Sequence, residues 1–177
     1  NLTTYSPASV AKTFGLGSIV DGQVTSLVFT LTNVSGNPAQ SGISIGDTLP
    51  SGLMLSSATP GVSYGSGCSG PATAIYSGGV LSGLTGVAMT SGTASCTVTV
   101  TGLTNASGQL NSSCSGSPAA FTNLASSVAV TGATNTSTNQ CLVVGGAPIA
   151  PTVTKSFSPT SIVTGGTSVL TITLSNS

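Results

Sequence analysis

The sequence predicts an all-β fold: an immunoglobulin-like Greek-key β-sandwich with a C-terminal two-strand extension. Three observations carry that expectation. Apolar and hydroxylated residues alternate, turn clusters recur at short spacing, and the end of the chain repeats its beginning. No window sustains a helical period, so strands joined by turns are left as the way to bury the apolar side chains. Helix content is expected to be near zero.

In chain order, Leu27, Phe29 and Leu31 point to one face while Val28, Thr30 and Thr32 point to the other, the mark of a half-buried strand. Shorter candidates follow at Ile43 to Ile45, Leu53 to Leu55, Val62 to Tyr64, Ala74 to Tyr76 and Val80 to Leu84. Cys96, Val98 and Val100 then alternate with Thr97, Thr99 and Thr101, and Leu124, Val128 and Val130 with Ser127 and Ala129, before a last short candidate at Cys141 to Val144. Between them stand Asp21-Gly22, Ser35 to Pro38, Pro50-Ser51-Gly52, Pro60-Gly61, Ser77-Gly78-Gly79, Ser91-Gly92 and Asn105 to Gly108, all turn chemistry.

The chain then begins again. Val153 to Asn176 lie over Val10 to Asn33 at a constant offset of 143 without a gap, and eleven of the 24 positions are identical. Such a repeat reads as one module followed by the opening of a second. Residues 1–147 are expected to form the sandwich, 148–151 a linker extended by Pro148 and Pro151, and 152–177 a strand pair. Two strands have no core of their own, so Val153, Phe157, Val169, Leu170, Ile172 and Leu174 are expected to pack on something outside the tail. Those six are the candidate polymerisation surface.

Only four residues of 177 are charged, namely Lys12, Asp21, Asp47 and Lys155, against roughly 25% in an ordinary soluble domain. That balance gives no electrostatic footprint for nucleic acid and no polybasic patch for anionic lipid. With 38% hydrophobic residues in alternating runs, the chain is expected to fold rather than stay disordered. Ser and Thr make up about a third of it, a surface with little charge repulsion between copies and few of the charges that blunt edge strands. Assembly with copies of itself is the expectation. Asn1, Asn33, Asn105, Asn111 and Asn135 stand in Asn-x-Ser/Thr sequons and make glycans a further candidate partner, although a chain this rich in Ser and Thr matches the pattern often by chance.

Cys68, Cys96, Cys114 and Cys141 form an even set without Cys-x-x-Cys spacing, and there is no His. Zinc is therefore not expected, and of the three connectivities four cysteines allow the sequential one, Cys68 with Cys96 and Cys114 with Cys141, is favoured. Disulfides imply an oxidising compartment. The first residue is Asn, as in a processed mature protein, and the longest apolar stretch, Cys141 to Ala150, is interrupted by Gly and Pro and too short for a bilayer. A secreted or cell-surface location without a membrane span is expected.

Lys12-Thr13-Phe14, the Leu27 to Asn33 strand and Asp47-Thr48-Leu49-Pro50-Ser51-Gly52-Leu53 together resemble the bacterial cell-surface conserved-repeat domains, immunoglobulin-like modules catalogued as domains of unknown function. The tail is similar again in Lys155-Ser156-Phe157-Ser158-Pro159-Thr160-Ser161-Ile162, and Cys96 before a Thr/Val strand matches a later feature of such repeats. The resemblance implies a stalk or tandem-array module of secreted proteins. In some bacterial immunoglobulin-like modules a buried Lys is bonded covalently to Asn or Asp, so Lys12 with Asp47, or with a nearby Asn, is a candidate crosslink or ion pair.

Catalytic equipment is scarce. Gly65-Ser66-Gly67-Cys68-Ser69-Gly70 matches the dinucleotide-binding pattern in form only, since neither a helix nor an acid follows it; it reads as a loop around a disulfide cysteine. A Ser nucleophile would lack a His base, and a glycosidase pair or calcium site would lack clustered carboxylates, so neither an enzyme nor a cofactor is expected. Asp47 is expected to be a local turn residue or the partner of Lys12. The leading expectation is a structural subunit of an extracellular bacterial filament, sheath or matrix fibre that polymerises head to tail through its C-terminal strands by strand complementation. The competing one is an adhesin or carbohydrate-binding repeat of a longer surface protein; the absence of Trp and the scatter of Tyr5, Tyr64 and Tyr76 weigh against an aromatic platform.

Overall fold

A computed structural model describes residues 5–115, 120–146 and 150–176. The chain divides into two compact units, Asn1–Gly146 and Ala147–Ser177. The first contains β1 (Ser9–Phe14), β2 (Ser18–Val20), β3 (Thr25–Thr32), β4 (Gln40–Thr48), β5 (Leu53–Leu55), β6 (Val62–Tyr64), β7 (Cys68–Ser69), β8 (Ile75–Ser77), β9 (Val80–Met89) and β10 (Ser95–Asn105). It continues with β11 (Thr122–Asn123), β12 (Val128–Thr131), β13 (Thr134–Asn135), β14 (Gln140–Cys141) and β15 (Val143–Gly145). The second unit is the pair β16 (Thr152–Ser158) and β17 (Val169–Ser175). Among the described residues there is no α-helix, only a 3-10 turn at Ala125–Ser127.

The strands of the first unit form two main sheets. One has the order β13-β1-β3-β10-β5 with β6 also on β10, and the other β12-β4-β9-β7 with β8 also on β9. Small pairs join β11 to β14 and β15 to β2. One face of each sheet is apolar because inward positions alternate: Val10, Leu27, Phe29, Leu31, Val98 and Val100 from the first sheet, Ile43, Ile45, Leu81, Leu84, Val87 and Met89 from the second, all in one buried cluster. The result is an all-β, sandwich-like unit, and the Cys68–Cys96 disulfide ties β7 of one sheet to β10 of the other across a Cα–Cα distance of 5.6 Å. Cys114–Cys141 closes the second bridge at 5.8 Å. Both pairings are the sequential ones favoured above.

Several boundaries differ from the expected ones. Val80 to Leu84 is only the first half of β9, because register shifts against β4 break the alternation and leave Leu81, Leu84, Val87 and Met89 all inward. Gly83 (φ 82°) and Gly86 (φ 72°) supply the left-handed backbone that these bulges need. The strand expected from Leu124 begins only at Val128, since Ala125–Ser127 form the 3-10 turn. Asn105 ends β10 instead of opening a turn, and Cys141 to Val144 is broken at Leu142 into β14 and β15. Gly65 leads into β7, the Cys68 amide donating to the Gly65 carbonyl at 3.0 Å. Residue 147, residues 148 and 149 of the expected linker, and the Asn1 sequon lie outside the described residues.

In the second unit, β16 and β17 pair in the register of β1 and β3 moved by the same 143 positions: Val153 faces Leu174 as Val10 faces Leu31, and Lys155 faces Ile172 as Lys12 faces Phe29. The sequence repeat is therefore also a repeat of hairpin geometry.

Candidate functional site: a buried Lys, Asp and Asn cluster

Strand parity aims two of the four charges into the core. Ala8, Val10 and Lys12 share the inward phase of the segment ending in β1, and Ile43, Ile45 and Asp47 share that of β4. Lys12 is 1% exposed and Asp47 1%. Asp47 is thus a residue of β4, not of a turn. Lys12 Nζ lies 3.6 Å from Asp47 Oδ2, so the structure brings these two candidate residues together.

A third residue completes the cluster. Asn123, fully buried on β11, donates from Nδ2 to the same Asp47 Oδ2 at 2.7 Å. Lys12 Nζ also donates to the carbonyl oxygens of Leu124 at 2.9 Å and Asn123 at 3.4 Å. The remaining oxygens of the two acceptor groups, Asp47 Oδ1 and Asn123 Oδ1, are buried without a hydrogen-bond partner. Burial pushes the Lys12 ammonium below its ordinary range, against the pull of Asp47. Burial likewise pushes the Asp47 carboxyl up, against Lys12 and the Asn123 hydrogen bond. Both groups are biased toward their uncharged forms.

Asn123 is held in place from two directions. Thr122 pairs with Cys141, whose disulfide runs to Cys114, and Asn111 donates from Nδ2 to the carbonyls of Ala120 at 2.9 Å and Leu142 at 2.8 Å. Phe121, at φ 57°, is a left-handed non-glycine residue buried against Gly52, where any Cβ would collide with the Phe121 ring. Asn123 does not figure among the candidates read from sequence. The available signal was indirect: two charges in inward phase require a polar partner, but nothing in Asn123-Leu124-Ala125 marks it as that partner.

Asn33, Asn105 and Asn111 are buried, and their carboxamides are structural donors, Asn33 to the Pro38 carbonyl at 3.0 Å and Asn105 to Asp21 Oδ1 at 2.7 Å. A glycan on any of the three would displace these bonds; Asn135 is exposed, and its Nδ2 donates to the carbonyls of Ala125 at 3.1 Å and Val128 at 3.0 Å. Asp21 staples its turn to Asn105 and to the Gly108 amide. In the hairpin, Val153, Phe157, Leu170, Ile172 and Leu174 share one face with Lys155, while Val169, opposite Ser158, lies on the other. The five apolar residues of that face are 48 to 69% exposed, whereas Val10, Leu27, Phe29 and Leu31, the counterparts of four of them, are fully buried.

Among the described residues no helix is long and apolar enough to cross a membrane. Residues 8–140 match the family described as Domain of unknown function (DUF7933). The matched span contains Lys12, Asp47 and Asn123. No curated protein and no solved structure matches the chain.

Proposed function

The chain belongs to the DUF7933 family, and from its own geometry we propose that it is a structural module of an extracellular bacterial filament, sheath or matrix fibre, joined head to tail through its C-terminal strand pair. In this reading the first unit is an immunoglobulin-like Greek-key sandwich of the kind found in cell-surface repeats. Two disulfides fit export to an oxidising compartment.

The observation that carries the proposal is the hairpin's register. It reproduces β1 and β3 pair for pair, yet leaves exposed the apolar face that β1 and β3 bury. What fits that face is the rest of such a module: a strand for the open edge of β17, as β10 serves β3, and apolar side chains over Leu170, Ile172 and Leu174. Lys155 on the same face adds a need for an acidic or carbonyl partner, as Lys12 has in Asp47. A contact of this kind is heterologous, and its repetition builds an open fibre.

Sedimentation and negative-stain microscopy test the proposal. The chain 1–177 should self-associate with rising concentration, and removal of 152–177 should leave a folded monomer. Fibres that persist after the deletion, or a full chain that stays monomeric at high concentration, would overturn self-polymerisation.

A further inference from the structure

We infer that Lys12 and Asn123 are the two ends of a side-chain amide crosslink, formed by the protein itself with loss of ammonia, and that Asp47 carries the proton. The inference concerns this chain's own residues and stands whether or not the chain forms fibres.

Plain packing does not explain this cluster. Two of the four charges in the protein are fully buried at one place, and a buried ion pair is on balance no more stabilising than well-packed apolar side chains. The pair is also incompletely satisfied, because Asp47 Oδ1 and Asn123 Oδ1 have no donor.

The arrangement does fit a reaction. Lys12 Nζ is held beside Asn123 by the carbonyls of Asn123 and Leu124, which leaves the Asn123 carboxamide itself free of the amine. One carboxylate oxygen, Asp47 Oδ2, touches both the amine at 3.6 Å and the carboxamide nitrogen at 2.7 Å. That is the position of a group that takes a proton from a nucleophile and hands one to a leaving group. Exclusion of water favours the neutral amine and the carboxylic acid, the forms the step requires.

The step balances without any co-reactant. The Lys12 ammonium gives a proton to Asp47, and the Nζ lone pair attacks Asn123 Cγ, forming the C–N bond. The Cγ–Nδ2 bond then breaks and Nδ2 leaves as ammonia with its own two hydrogens and a third delivered by Asp47. Of the two protons that Nζ gives up, one departs in ammonia and one remains on Asp47. No atom is oxidised or reduced. The product is uncharged, and the protonated Asp47 now offers a donor to the former Asn123 Oδ1, so both unpartnered oxygens are accounted for.

Asn123 is the electrophile and not Asp47. Asp47 is the sole acid of the cluster, and its consumption would leave no described group there to move protons and would strip Asn123 of its acceptor. The bond joins β1 to β11 across 111 residues, so a pull on the two ends of the first unit would run through a covalent link in place of the sheets between them.

Intact mass of the full chain after reduction of its disulfides tests the inference. The mass should fall about 17 Da below that of the sequence, one ammonia, with a peptide map joining Lys12 to Asn123. Trypsin should then cut after Lys155 and not after Lys12. The Asp47→Asn variant should show the unshifted mass. An unshifted wild-type mass in protein whose disulfides had formed would overturn the crosslink. So would a loss of about 18 Da mapped to Asp47, which marks a water-releasing bond to the carboxylate instead.

Discussion

Replacing Lys12 by Met removes the cation while keeping an unbranched side chain of similar length in the inward phase of β1. Asp47 then stays buried, holding the Asn123 hydrogen bond at 2.7 Å and nothing on Oδ1. Loss of one partner of a buried pair costs about 3–5 kcal/mol; where the crosslink has closed and the cluster is already uncharged, the loss is instead that of its 111-residue loop, roughly 4–5 kcal/mol on the chain-entropy account. Domains are stable by about 5–15 kcal/mol, so the variant should be marginal at neutral pH. The sign of the pH dependence follows from Asp47. Its folded pKa stands above its ordinary 3.8, so its contribution is present below that value and disappears as pH rises through the folded one. Urea denaturation with disulfides intact should therefore show Lys12→Met least damaged near about pH 4 and worst above neutrality. Adding Asp47→Leu removes the unpaired charge and should restore much of the loss at pH 7. A Lys12→Met variant within about 1 kcal/mol of wild type, or a double variant no better than the single, would refute the buried-charge reasoning.

Replacing Cys68 and Cys96 by Ser opens a loop with a sequence separation of 28; thermal melts should register a loss of about 3–4 kcal/mol. Gly52→Ala should cost about 1–3 kcal/mol, because the position has φ 92° and its Cβ meets the Phe121 ring. The same variant should show a smaller crosslinked fraction by intact mass, since Phe121 precedes Asn123 by two residues. Leu170→Asn with Leu174→Asn, on the exposed face of β17, should abolish self-association in sedimentation runs and leave the melting of the first unit unchanged. Association that survives this change would move the joint elsewhere.

The strands that proved easiest to read from sequence are those without bulges. Leu53 to Leu55 and Val62 to Tyr64 coincide with β5 and β6, and the Leu27 to Leu31 alternation lies within β3. Their side chains obey a simple two-residue period because one face of each is buried in or packed against the core. Where Gly83 and Gly86 insert bulges, the inward residues of β9 stop alternating and only half of the strand was legible. The region after Asn105 was least legible, because its short strands are set by the Cys114–Cys141 bridge and by Asn111 reaching the carbonyls of Ala120 and Leu142. Contacts of that kind leave no periodic trace.

Sequence alone determined the all-β class, the four cysteines available for bridging and the repetition of the opening strand pair, since each rests on local spacing or direct comparison of residues. Scarcity of charge also singled out Lys12 and Asp47 as a candidate pair, though with Asp47 expected in a turn and without Asn123. It took the packing of the whole unit to make β1, β4 and β11 meet, so that the amine, carboxyl and carboxamide of residues 12, 47 and 123 share one buried site. Their encounter depends on how two sheets and a disulfide-held segment pack, and packing at separations of 76 and 111 residues is not written in any local pattern.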